Sequence, residues 1–343
     1  MAESNNRLSC NVHIEAIQTV TPAKMTQPDR FRRISTSDPI PITEDLLRTH
    51  HRLVAYCKNS SSDYSAFSFV GFLKESLNVV LGDHPLFAGR LRKNDKSGEV
   101  DRIKFNDAGI RLVQAKAEMS MEEFIDNTKD AGGEGLLAYW MDICFKTPHF
   151  SPLFYVTSFQ GNEYSISLSC SVLLADPVMM TEFMRAWAQV HTTILLHRKK
   201  SLCNDVVPIF HLAKFKRPGV TSHITSKQLN SSPTSLFNHE SGVDQLNTIT
   251  EEGAKFYRID WGKEETRVES VSAMGKKVTE GESVNWDALT TAAAKEVFFG
   301  DGHTTVHVSY HLESNAGAAG VIIFPSKMQN ELRWIAAAVP IKI

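Results

Sequence analysis

The stretch SLSCSVLLADPVMMTEF, Ser167–Phe183, decides the fold class. An apolar strand pattern breaks at Ala175-Asp176-Pro177 and passes directly into a helical one. Proline suits the first helical position, where the N–H it lacks would have no intrahelical partner. From there Met179, Phe183, Trp187, Val190 and Ile194 recur as one apolar stripe over Val178–Arg198. Asp176, just before the helix, is a carboxylate placed to accept from free backbone N–H groups. A strand that turns at once into a long amphipathic helix predicts a mixed α and β domain.

Working outward, SPLFYVTSFQGNEYSISLSCSVLLAD (Ser151–Asp176) reads as two strands joined at Gly161-Asn162. Phe69, Leu73, Leu77 and Val80 give Ser65–Leu81 a helical period that ends near Gly82. Alternation on both sides of Asn106-Asp107-Ala108-Gly109 predicts a hairpin-like turn in which Gly109 takes a positive φ. Met119–Asp126 reads as a short helix with its acids early, where the helix dipole favours them. Thr221–Gly253 is rich in Ser, Thr and Asn and poor in periodic apolar residues, so it reads as a crossover or linker between residues 1–220 and 254–343.

The 343 residues are 42% hydrophobic and 22% charged, an ordinary globular composition. A net charge of -2 gives no basic excess for nucleic acid. The first residues lack the patterns of a signal or transit peptide, and no run of about 18 apolar residues would make a transmembrane segment. The five cysteines, Cys10, Cys57, Cys144, Cys170 and Cys203, are scattered with no CxxC pair, which fits reduced thiols better than disulfides or zinc. The expectation is a cytoplasmic protein, or one peripheral to a membrane.

Three blocks carry a resemblance. LKESLNVVLGDHPLFAGRLRK (Leu73–Lys93), FNDAGIRLVQA (Phe105–Ala115) and the strand-turn-helix at Asp176 together resemble the plant BAHD acyltransferases, which move an acyl group from coenzyme A to an alcohol or amine. The resemblance implies a two-domain, chloramphenicol-acetyltransferase-like α/β fold, here with an incomplete second domain. It implies acyl-CoA as donor or ligand, and no bound cofactor or metal. The family's turn carries His-x-x-x-Asp, because a neutral imidazole can take the proton of a hydroxyl or amine attacking a thioester. Val172 stands at the histidine position and can take no proton. Asp176 matches the family's structural aspartate, and Pro177 replaces its usual glycine.

The family's second box, Asp-Phe-Gly-Trp-Gly, invites a match to Asp260, Trp261, Gly262 and Lys263. They follow Asp176 more closely than the family's boxes are spaced, and stand where the second piece should begin with a strand, so the match reads as coincidence. His307–Pro340 and Thr147–Gln160 are similar to the eceriferum-type branch, plant wax-synthesis proteins of BAHD fold thought to assist very-long-chain fatty-acid elongation without the usual catalytic motif. That similarity implies elongation enzymes as partners and a site peripheral to the endoplasmic reticulum.

Ser171 and Cys170 are poor nucleophile candidates, with no activating neighbour in sequence. His149 and His211 could replace the missing base only if the fold brought one beside the turn. Alternation places His303, Thr305, His307, Ser309 and His311 on one solvated strand face, too far apart to share a metal. Three readings follow. The first is a catalytically degenerate member acting as an acyl-CoA or acyl-chain auxiliary. The second is an active acyl-CoA-dependent O- or N-acyltransferase, and the third a remnant without a stable fold.

Overall fold

A computed structural model describes residues 12–27, 29–36, 42, 44–60, 66–105, 109–128, 133–138, 152–202, 255–262, 264–270, 297–300, 302–313, 320–325 and 333–338. In chain order these form β1 (Val12–Val20), β2 (Phe31–Thr36), α1 (Glu44–Arg48), β3 (His50–Asn59), α2 (Ala66–Asp83), β4 (Arg90–Lys93), β5 (Val100–Lys104), β6 (Ile110–Ala117) and α3 (Met121–Thr128). They continue as β7 (Leu153–Ser158), β8 (Glu163–Ser171), α4 (Pro177–Leu202), β9 (Lys255–Trp261), β10 (Glu265–Ser270), β11 (His303–Glu313), β12 (Gly320–Pro325) and β13 (Arg333–Ala338), with 3-10 turns at Pro85–Ala88 and Gly133–Leu136.

The architecture is mixed α/β, built on two sheets. One has six strands in the order β1-β6-β7-β8-β3-β11, and the other seven in the order β13-β12-β9-β10-β2-β5-β4. Strands from both sides of residues 221–253 enter each sheet. β11 completes the first sheet by pairing with β3, while β2 joins the second by running parallel to β10.

The local signals read from sequence appear where expected. Phe69, Leu73, Leu77 and Val80 of α2 are buried against the main core. β7 and β8 pair antiparallel. Between them Gly161 (φ 78°) and Asn162 (φ 60°) both take the left-handed conformation that a tight two-residue hairpin turn needs. The core face of α4 is rotated from the expected stripe. Met180, Phe183, Met184, Trp187, His191 and Leu195 are buried, while Met179, Val190 and Ile194 are only half-buried.

Two expectations are corrected. β5 and β6 do not form a hairpin, because β5 pairs with β4 and β2 in the seven-stranded sheet and β6 pairs with β1 and β7 in the six-stranded one. Gly109 does take a positive φ of 80°, but the chain crosses between sheets there, and a Cβ on it would lie 2.4 Å from the Val20 carbonyl oxygen. The histidines of β11 do not share one face. A register shift between Thr305 and His307 flips the alternation. His303 is therefore buried with Val308, Tyr310 and Leu312, while His307 is exposed.

β8 is covered on both faces, which explains why it reads as a nearly continuous buried run. Ile166, Leu168 and Cys170 join the main core with α2 and α4. On the other face the Ser167 hydroxyl donates to the Leu137 carbonyl and Ser169 donates to Ala138 across 2.7 Å. Leu137 and Ala138 belong to a second, smaller core with Tyr56 and Phe124.

Candidate functional site

The turn after β8 is held through its backbone. The Val172 N–H donates to the Thr49 carbonyl across 3.3 Å, and the Leu174 N–H donates to the Ser171 carbonyl across 3.0 Å. Ser171 Oγ accepts from the Leu173 N–H at 3.3 Å, the local pairing that lets a serine stabilise a tight turn. Val172 is fully buried in the main core, and its carbonyl accepts the Trp261 indole N–H at 3.1 Å.

Asp176 behaves as the sequence implies. Its Oδ1 accepts from the Met179 N–H at 2.6 Å and its main-chain carbonyl accepts from Met180 at 3.0 Å, which makes it the N-cap of α4. Pro177 is the first residue of the helix. The two expected site positions therefore lie four residues apart in one turn.

Neither nucleophile candidate is available. Cys170 is fully buried, and its Sγ donates to the Ser171 carbonyl at 3.6 Å. Burial pushes its thiol up, which keeps it from the reactive thiolate form. Ser171 is 1% exposed. His149 and His211 lie outside the described residues. The histidines the ladder does bring to the turn are His50, opposite Ser171, and His51, opposite Cys170. Sequence reasoning missed both, because their neighbourhood depends on β3 pairing with β8. Burial, with help from His50, pulls His51 down to about 3, far from the range in which an imidazole accepts a proton usefully at neutral pH.

Asp260 and Trp261 end β9, and Gly262 follows it. Asp260 is exposed and Trp261 is buried. The tryptophan seals the turn through its bond to the Val172 carbonyl.

Beside the first turn of α4 a cleft of about 810 Å³ opens between β2, the Pro85–Ala88 turn and the β9–β10 connection. Phe31, Pro85, Phe87, Phe105 and Met179 give it apolar walls, and Arg32 and His84 add polar groups. Val172 does not line it. Burial lowers His84, against the opposing pull of Asp83 and Glu182, because it disfavours the charged imidazolium.

A second polar cluster sits on the other side of the six-stranded sheet. Glu134 accepts from Tyr56 at 2.5 Å and from Ser309 at 2.9 Å, and it pairs with His311. These contacts fasten the Gly133–Leu136 turn to β3 and β11. His311 is thereby a half-buried hydrogen-bond partner of Glu134 rather than one of a solvated row.

A family model described as the Transferase family matches residues 10–274. The chain belongs to the Transferase family. This is the BAHD family to which its sequence blocks pointed. Within it, the Arabidopsis thaliana protein "ECERIFERUM 26-like" is 28% identical over 119 residues, covering 34% of this chain; the match spans 27% of that protein's length. Among solved structures, vinorine synthase is 13% identical with a TM-score of 0.49, covering 95% of this chain and 94% of that one. F. sporotrichioides TRI101 complexed with coenzyme A and T-2 is 12% identical with a TM-score of 0.37, covering 84% of this chain and 68% of that one. Among the described residues of this Transferase family chain, no helix is long and apolar enough to cross a membrane.

Proposed function

We propose that this BAHD-family chain binds an acyl-CoA or acyl chain without catalysing ordinary acyl transfer, and serves as an auxiliary to very-long-chain fatty-acid elongation enzymes. The observation that carries the reading is Val172. It occupies the family's general-base position with a side chain that cannot accept a proton, in a turn closed by Trp261. Local similarity to an eceriferum-type protein supports the auxiliary role, and acyl-CoA is the ligand class that family membership supports.

The test combines a thermal-shift titration with a transfer assay, using acetyl-, hydroxycinnamoyl- and very-long-chain acyl-CoA, with free CoA as control. At a hundred times its dissociation constant a ligand stabilises the folded state by about 2.7 kcal/mol. The reading expects saturable stabilisation by a long-chain acyl-CoA with no transfer to simple alcohols or amines. Enzyme-like turnover with any of these donors would overturn it and favour an active transferase.

A further inference from the structure

Arg32 is the second residue of β2. It shares a strand face with Ile34, which is 7% exposed. Arg32 itself is 9% exposed, and among the described residues neither its Nε nor its Nη1 has a hydrogen-bond partner. A guanidinium cannot shed its charge at any physiological pH, so burial leaves it a cation whose lost hydration is not replaced. Natural chains rarely keep such a group unless something outside the chain satisfies it.

The place where Arg32 sits says what that something is. It lines the cleft of about 810 Å³, whose volume is in the range of small-molecule sites and whose walls mix aromatic and aliphatic side chains with charged ones. Arg30 and Arg33 also line the cleft, as do Asp83, Glu264 and Glu265. Two of these carboxylates are engaged from outside it, Asp83 by Lys24 and Glu265 by Arg267 at 3.6 Å. Arg30 lies over the Phe105 ring, 5.3 Å from its centroid, within the range of a cation–π contact. Arg30 and Arg33 are exposed to solvent, whereas Arg32 is buried.

We propose that this cleft binds an organic oxyanion, a carboxylate or phosphate carried on an apolar body, with the Arg32 guanidinium receiving the charged oxygens and the aromatic walls covering the body. A guanidinium presents two parallel N–H donors that match the oxygens of either group, so both sources share one recognition chemistry. The site does not involve Val172 and does not rest on the acyl-CoA reading.

The experiment uses the full chain with octanoate, octyl phosphate and the neutral octanol as probes, followed by thermal shift and calorimetric titration. Octanoate or octyl phosphate should stabilise it saturably and octanol should not. The stronger of the two anions identifies the charged group. Arg32→Met should raise the melting temperature of the unliganded protein, because it removes an uncompensated buried charge, and should abolish the anion-dependent shift. Arg32→Lys keeps the charge but loses the paired donors, and should weaken binding by about tenfold, the loss of one charge-assisted hydrogen bond. The proposal is overturned if neither anion outperforms octanol or if the shift persists in Arg32→Met. An unliganded Arg32→Met protein that melts below wild type would also overturn it, since the guanidinium would then be serving the fold.

Discussion

The indole N–H of Trp261 donates to the main-chain carbonyl of Val172 across 3.1 Å, joining the end of β9 to the turn that follows β8. The donor and acceptor residues are 2% and 0% exposed. A strand that follows residues 221–253 in sequence thus closes the turn around Val172. The closure is structural, and it makes the turn's stability depend on the far part of the chain.

Replacing Trp261 with Phe keeps most of the apolar volume and deletes the donor. The Val172 carbonyl would then be a buried acceptor without its indole partner, and such groups cost about 1–3 kcal/mol. Urea denaturation should show a lower midpoint with an unchanged slope. An unshifted midpoint would mean that solvent reaches the turn.

Val172→His tests burial and chemistry together. An imidazole in place of a fully buried valine must find room and polar partners. Overpacking alone should destabilise the protein by about 1–3 kcal/mol. The expected result is a lower melting temperature with no gain in acyl transfer. A protein of undiminished stability that gained transfer activity would reveal an open channel beside the turn.

Asp176 caps α4 through its bond from the Met179 N–H. Asp176→Ala removes that cap and should cost about 0.5–2 kcal/mol. Asp176→Asn retains an acceptor oxygen and should lose much less. Equal losses for the two variants in urea titrations would show that the charge of Asp176, not its capping bond, is what the fold requires.

Acid should unfold the protein in two overlapping steps. Burial, aided by neighbouring His50, pulls His51 from 6.5 to about 3; burial also takes His191 to about 3, aided by His303 and opposed by the Phe72 backbone. Burial would raise Glu134, but hydrogen bonds with His311, Tyr56 and Ser309 and the His311 charge outweigh it and take the carboxyl from 4.5 to about 2. All three groups bind protons less readily folded than unfolded. Their stabilisation is therefore complete above the unfolded values. It is lost as pH falls, from 6.5 towards 3 for the histidines and from 4.5 towards 2 for Glu134. Glu134→Gln should be less stable at neutral pH and lose less stability below pH 4.5. Melting curves from strongly acidic to neutral pH give the comparison, and parallel profiles for the two proteins would exclude Glu134 as a contributor.

What was legible in the sequence is what short-range physics encodes. The α2 period, the Gly161-Asn162 turn, the Asp176 cap and the proline start of α4 each depend on residues within a few positions of one another. The β5–β6 hairpin was misread for the same reason: local alternation announces two strands but does not say to which sheet each belongs. The row of histidines on β11 was misplaced because a single register shift against β3 reverses every side chain beyond it.

The sequence by itself determined the family, the mixed α/β class and the absence of a proton acceptor at position 172, because these reside in residue identity and local spacing. The tertiary structure alone decided that Trp261 closes the Val172 turn, that His51 is buried beside Cys170, and that Arg32 reaches a cleft of mixed polar and apolar lining with part of its guanidinium unsatisfied among the described residues. Each of those facts arises from strands distant in sequence being brought together, and a residue's solvation, hence its charge chemistry, is set by whatever is packed against it.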